Sequence, residues 1–329
     1  MRHLSAVTYI RKQANPAPDV KMIQNIIAMV YDFDLTLTPE FMQRPIFDDL
    51  KFQKMKWEEF WQEVKKTTGE HAGKGKRFQD EAAYLHQMIR LAQKGQPLEG
   101  LTEKVLTELG DKIEFFPGIP EFFDNVKNDI ESNEKYRQYK IKVEHYIAST
   151  GIADMIKGSK IAPYMEYISA SEMFYDSEGM PVGVARLMTR TQKTEAIFEI
   201  HKGTMQNGEI DVNSYVPAEM RRVPLKNMIY FGDGPSDVPC MSIVKREGGF
   251  AFVVYDPNPK KEKYKENPAM NAFPLQRARR VDFCVPADYR KGTHLYVMAT
   301  NALREIADRI VEENEEAFRH RMIKAPEHA

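Results

Sequence analysis

The sequence predicts an α/β chain: a mostly parallel β-sheet with helices on both faces, interrupted by an all-helical insertion. Two observations predict it. Short continuous apolar runs that stop at polar residues alternate with segments of helical periodicity, the pattern of strands buried on both faces and joined by crossover helices. Residues 39–116 break that rhythm, with apolar residues at helical spacing and no strand-like run.

Residues 1–24 read as a polar lead-in, with Pro16 and Pro18 unfavourable to regular structure. Ile26–Tyr31 is the first strand, an apolar run that stops at Asp32. Val143–Ala148, Met228–Phe231, Phe250–Tyr255 and Val281–Val285 are four more. Helical patterns over Pro120–Ile130, Thr191–His201 and Ser236–Arg246 separate several of them. Leu295, Met298, Ala302, Ile306 and Ile310 mark a last helix within His294–Phe318.

In the insertion, Trp57, Phe60, Trp61 and Val64 share one helical face. So do Phe78, Ala82, Leu85, Ile89 and Ala92, and so do Leu101, Val105 and Leu109. Thr38-Pro39 and Phe116-Pro117-Gly118 bound the segment with turn-forming residues. The expected organisation is therefore a lead-in over 1–24, a core from 25–38 and 117–329, and a small helical domain over 39–116. Met165–Leu187 is expected to be a hairpin around Asp176-Ser177-Glu178-Gly179, and Pro257–Arg280 an exposed loop.

Charge and composition exclude several functions. The 329 residues carry 47 Lys+Arg against 48 Asp+Glu, a net charge of −1, which argues against a whole-molecule grip on nucleic acid or an anionic membrane. No apolar stretch reaches transmembrane length, and the N-terminus lacks the apolar centre of a signal peptide. Cys240 and Cys284 make neither a disulfide framework nor a metal-binding pair, so a reducing, cytoplasmic setting is expected. The basic residues between Lys260 and Arg280 read as a solvated face, while His71, Lys74, Lys76 and Arg77 fit a solvated loop and a contact to a substrate's anionic end equally well. The histidines lack zinc spacing.

The chemistry concentrates at strand ends. Asp32-Phe33-Asp34-Leu35-Thr36-Leu37-Thr38 follows the first strand, where open α/β sheets bind ligands, and strand periodicity puts Asp32 and Asp34 on one side. Two carboxylates there repel each other unless a cation or proton intervenes. A bare D-x-D arises by chance about once in a chain of this length. Tyr230-Phe231-Gly232-Asp233-Gly234-Pro235-Ser236-Asp237 repeats the design with a strand, a glycine-rich turn and two acids. Val143–Ala148 ends in Ser149-Thr150-Gly151, and Lys193 starts a helical pattern. Each of these pieces alone also fits an ordinary turn or surface residue.

Together and in this order, they resemble the haloacid dehalogenase superfamily: D-x-D-x-T, a strand ending in Ser or Thr, a later Lys, then G-D-G-x-x-D. The second acid of D-F-D-L-T-L-T is the phosphatase form, and Ile-Ala-Ser-Thr-Gly with Gly-Asp-Gly-Pro-Ser-Asp is nearest to the phosphoserine-phosphatase-like branch. The resemblance implies a Rossmann-like core with a helical cap after the first motif. It implies Asp32 as nucleophile and Asp34 as general acid/base. Mg2+ would be held by Asp32, the Asp34 backbone carbonyl and Asp233. Ser149 would bind phosphate, with Thr150 its competitor, and Lys193 would offset charge, with Lys157 and Lys160 as alternatives. Asp237 would orient the lysine or assist the metal shell.

The implied activity is hydrolysis of a small phosphorylated metabolite through an aspartyl-phosphate. The insertion's 13 Lys+Arg and 14 Asp+Glu suit a cover over a small molecule better than a clamp on nucleic acid. At helical spacing, Trp57, Phe60 and Trp61 fit the insertion's core better than a substrate-stacking surface. A phosphomutase shares both aspartates, and a non-catalytic binding protein could keep the fold.

Overall fold

The computed structural model describes residues 24–71, 79–205, 211–259 and 269–323. Most of the lead-in, Phe78 and the basic residues Lys74, Lys76, Arg77 and Lys260–Lys265 lie outside the described residues.

Strand β1 (Ile26–Tyr31) leads into the insertion, which holds α1 (Arg44–Asp48), α2 (Trp57–His71), α3 (Asp80–Ala92) and α4 (Glu103–Gly110). The chain returns through α5 (Glu121–Glu131) and α6 (Glu134–Gln138) to β2 (Lys142–Ile152). A short α7 (Ala153–Lys157) precedes β3 (Met165–Tyr175) and β4 (Pro181–Arg186). Then come α8 (Lys193–Lys202), β5 (Met228–Gly232), α9 (Val238–Arg246), β6 (Phe250–Tyr255), α10 (Ala269–Arg277), β7 (Phe283–Pro286) and α11 (His294–Ile323).

The described strands form one seven-stranded sheet in the order β4-β3-β2-β1-β5-β6-β7. Every neighbouring pair is parallel except β3 with β4. From β1 the chain builds outward through β2 and β3, then crosses to β5 on the other side. That reversal opens a crevice beyond the carboxyl ends of β1 and β5, where this architecture places ligands. Tyr31 pairs with Phe231, so Asp32 and Gly232 emerge at the same level.

Alternation along β1 feeds both faces. Ile27, Met29 and Tyr31 join a core that includes Leu295, Ile306 and Ile310 of α11 and extends to Phe47, Phe60, Leu85 and Met88 of the insertion. Ala28 and Val30 face the other core, with Ile197 and Ile200 of α8 and Val244 of α9.

Two expectations need correction. Met165–Leu187 is more than a hairpin: β3 is a parallel strand of the main sheet, beside β2. Glu166, Glu172 and other polar residues interrupt its apolar pattern because it lies toward the sheet edge, which hid it. Pro257–Arg280 also contains a helix, α10, despite Pro274 inside it. Ala269 and Ala272 are buried under that helix, and packing against the sheet outweighs the proline penalty.

The insertion is fastened to the core where α4 crosses the end of α7. A Cβ at Gly158 would lie 1.9 Å from the Thr107 carbonyl oxygen, and one at Gly110 would lie 2.2 Å from that of Met155. Backbone meets backbone there, with no flexible atom to yield. Gly158→Ala is therefore expected to cost about 2–4 kcal/mol of stability, at or above the usual overpacking range. A urea midpoint equal to wild type would show that the contact can relax.

His145 in β2 is buried between the Tyr31 hydroxyl, 3.1 Å from Nδ1, and the Phe123 carbonyl, 3.2 Å from Nε2. The carbonyl can only accept, so Nε2 carries the proton and Nδ1 accepts from Tyr31. Burial drives the His145 pKa down to about 3. The stability this neutral ring contributes is full above the unfolded value near 6.5 and is lost progressively as pH falls toward about 3. From pH 7 to 4.5 that loss is about 2–3 kcal/mol, and His145→Gln should flatten it in denaturation curves taken at the two pH values.

Candidate active site

Asp32 is the first residue after β1, fixed by its amide, which donates to the Phe231 carbonyl at 2.9 Å across the β1–β5 boundary. Asp32 is 6% exposed, and its carboxylate accepts from the Phe33 amide at 2.8 Å. The backbone then turns sharply: the Thr36 and Leu37 amides both reach the Phe33 carbonyl, and Leu35 has φ of 62°. Because β1 has ended, strand alternation no longer governs Asp34. Its Oδ1 accepts from the Met42 amide at 2.8 Å, so that carboxylate faces the insertion.

Lys193 opens α8 and is 1% exposed, so it is no surface lysine. Its Nζ lies 2.8 Å from Asp32 Oδ1 and 2.8 Å from Asp237 Oδ1. Asp237 is fully buried and also accepts from the Tyr230 hydroxyl at 2.8 Å. Gly232 is required by this approach, since a Cβ there would sit 2.5 Å from the Asp237 carboxyl. Of the alternative lysines, Lys157 pairs with Glu172 at 3.3 Å and Lys160 lies over the Phe115 ring.

Asp32, Asp233 and Asp237 each direct a carboxylate oxygen into one space, the three oxygens within 4.8 Å of one another. Three acids face one ammonium, which leaves the centre short of positive charge. Burial, then the Asp237 charge, pushes the Asp32 carboxyl up to about 6 against the opposing pull of Lys193. Burial, Asp237 and Asp32 hold Asp233 well above the ordinary range. Burial works against the Lys193 ammonium, but Asp237 and Asp32 outweigh it and raise its pKa. Hard oxygen donors with unbalanced negative charge fit a cation such as Mg2+. Asp237, already bonded to Lys193 and Tyr230, suits the lysine better than the ion.

Ser149 is buried within β2, two residues past its last pairing with β1, and its Oγ accepts from the Gly151 amide at 3.0 Å. The Thr150 carbonyl points elsewhere, accepting from the Tyr84 hydroxyl at 2.9 Å. Asp32, Lys193, Asp233 and Asp237 thus come together, while Asp34 and Ser149 lie on neighbouring segments with their own backbone partners.

No protein-family model matches this chain. A protein of Borreliella burgdorferi (strain B31), described as uncharacterized, is 34% identical over 292 residues, spanning 83% of this chain and 95% of that protein. The chain belongs to the family of that protein. Solved structures similar to this family member include a HAD-family hydrolase of Salmonella enterica serovar Typhi, at 15% identity and TM-score 0.46, covering 71% of this chain and 63% of that one. They also include a phosphoserine phosphatase in apo form, at 15% identity and TM-score 0.45, over 80% and 96% of the two chains. A probable phosphoserine phosphatase of Vibrio cholerae is 12% identical with TM-score 0.48, over 87% and 68%.

Sequence reasoning missed three residues around the centre of this family member. Tyr230 reads as one more apolar strand residue. Tyr84 sits in the middle of α3, where an aromatic signals helix core. Gln43 precedes α1 and belongs to no motif. Only Tyr84 carried a usable signal, as a hydroxyl within a buried helical stripe, where the O–H needs a partner.

Proposed function

We propose that the protein is a phosphoric monoester hydrolase of the haloacid dehalogenase type, acting on a small phosphorylated metabolite through an aspartyl-phosphate. One observation carries the reading: a buried lysine bridges Asp32 and Asp237 at 2.8 Å each, beside three converging carboxylates at the sheet's switch point. In this reading a carboxylate oxygen of Asp32 attacks phosphorus, and the bond to the leaving oxygen breaks. Asp34, on the insertion side, gives that oxygen its proton. The Asp34 carboxylate then takes a proton from water, whose oxygen attacks phosphorus and frees Asp32 and phosphate.

Lys193 offsets charge on Asp32 and on the transferred group, and Asp237 holds the lysine. Ser149 hydrogen-bonds the phosphate. Asp32, the Asp34 backbone carbonyl and Asp233 would hold Mg2+, whose charge, when bound, neutralises phosphate and acids together. Residues 39–116 act as the cap that excludes water. The two cysteines, neither in a disulfide, suit a cytoplasmic setting, and no described helix is long and apolar enough to cross a membrane.

The test is phosphate release from p-nitrophenyl phosphate and a panel of phosphomonoesters, with Mg2+ and with EDTA. Release in Mg2+ that falls at least about 100-fold in EDTA is expected if cation charge stabilises the transferred group. Undiminished turnover in EDTA would remove the metal from the reading. Isomerised product without free phosphate would make the protein a mutase.

A further inference from the structure

The proposed hydrolysis uses Asp32, Lys193 and Asp237 but gives Tyr230 no part. Asp237 Oδ1 takes two donors at the same distance, the Lys193 ammonium and the Tyr230 hydroxyl, each at 2.8 Å. The other oxygen of Asp237 has the Ser236 hydroxyl at 3.4 Å, a weak partner that does little to fix the carboxylate. Tyr230 is fully buried in β5, and its one proton goes to Asp237, since a carboxylate only accepts. The thiol of Cys240, in α9 and also fully buried, hydrogen-bonds the same tyrosine. A buried row therefore runs from Cys240 through Tyr230, Asp237 and Lys193 to Asp32. At its far end, Lys193 and the Phe33 amide both hold Asp32 Oδ1 at 2.8 Å. Oδ2 is then the oxygen left to attack phosphorus, and its direction follows from where the ammonium sits.

We infer that Tyr230 is a positioning residue: its hydroxyl holds Asp237 in the direction that keeps the Lys193 ammonium on Asp32 Oδ1, and so aims Oδ2 at phosphorus. Without the hydroxyl, the Asp237 carboxylate turns about its Cα–Cβ bond into the space it shares with Asp32 and Asp233, where the three oxygens lie within 4.8 Å of one another. The ammonium moves with it, because Asp237 remains its buried counter-charge. Phenylalanine at this position keeps the ring and its packing, so the effect belongs to one O–H. The inference rests on the phosphatase reading of the same site.

The test measures p-nitrophenyl phosphate hydrolysis in Mg2+ by wild type, Tyr230→Phe, Asp237→Ala and the double variant. In Tyr230→Phe, kcat should fall by about 10- to 100-fold with KM unchanged, since the tyrosine misplaces an attacking group without touching substrate. In the Asp237→Ala background the same substitution should change kcat by less than about twofold, because nothing remains for the hydroxyl to hold. A second readout needs no substrate: the side-chain Nζ resonance of Lys193 in a 15N-labelled protein should shift or broaden in Tyr230→Phe. Wild-type kcat in Tyr230→Phe, a loss carried by KM, or an equal loss in both backgrounds overturns the inference and leaves the phosphatase reading intact. Should Asp237→Ala have no measurable turnover, an unmoved Nζ resonance in Tyr230→Phe overturns it instead. Absence of phosphate release from every ester in Mg2+ overturns the phosphatase reading, and the Nζ resonance then still decides whether Tyr230 places Lys193.

Discussion

Asp32→Asn is expected to cut phosphate release by at least about 10³-fold, with the protein still folded. A catalytic nucleophile typically accounts for several orders of magnitude, and an amide cannot replace a carboxylate in attack on phosphorus. Stability should change little. The carboxylate is buried, and its pKa is already pushed up to about 6, so the charge removed is one the fold tolerates poorly. Lys193 keeps its second partner, Asp237, at 2.8 Å. Single-turnover phosphate release beside a urea denaturation curve separates the two effects. Wild-type turnover in the asparagine variant would mean that another group attacks phosphorus.

Lys193→Met should damage both activity and stability. With the ammonium gone, Asp32, Asp233 and Asp237 face one another with no cationic side chain among the described residues between them. Breaking a buried ion pair by removing one partner costs about 3–5 kcal/mol, because the remaining charge is left without compensation. Turnover should fall by at least about 100-fold through the lost charge stabilisation. Lys193→Arg should not rescue either property, since the guanidinium fork does not fit a space closed to 1% exposure around a single Nζ. A Lys193→Met protein with the wild-type urea midpoint would show that the pair contributes nothing to folding.

Much of this architecture was legible because it obeys short-range rules. Strands buried on both faces must read as apolar runs, and Ile26–Tyr31 and Phe250–Tyr255 do so without ambiguity. The acids after β1 and β5 stood out because each interrupts such a run. Strand β3 was less legible, because a parallel strand near the sheet edge buries few residues and loses the apolar signature. Helix α10 hid behind Pro274, whose local penalty is overridden by packing that no window of sequence reports. The orientation of Asp34 was equally hidden. Strand alternation predicts the side of Asp32, but the turn with Leu35 at φ of 62° ends the alternation and sends the second acid toward Met42. Gln43 escaped notice because it belongs to no motif and its burial is a property only of the folded chain.

The glycine crossing of α4 and α7 also bears on how a substrate enters and how phosphate leaves. Carbonyls packed against Gly110 and Gly158 allow no sliding, so α4 moves as part of the core. The ties of α3 are of another kind: the Tyr84 hydroxyl on Thr150, the Gln93 amide on Pro181, and Arg190 on Glu81 at 3.3 Å. Each can break and re-form singly by side-chain rotation. If the insertion opens for substrate, the swing is expected in its first part, about the second part held by the glycine crossing. Turnover limited by that swing should respond to solvent viscosity and to loss of the Arg190 tie, with the chemical step untouched.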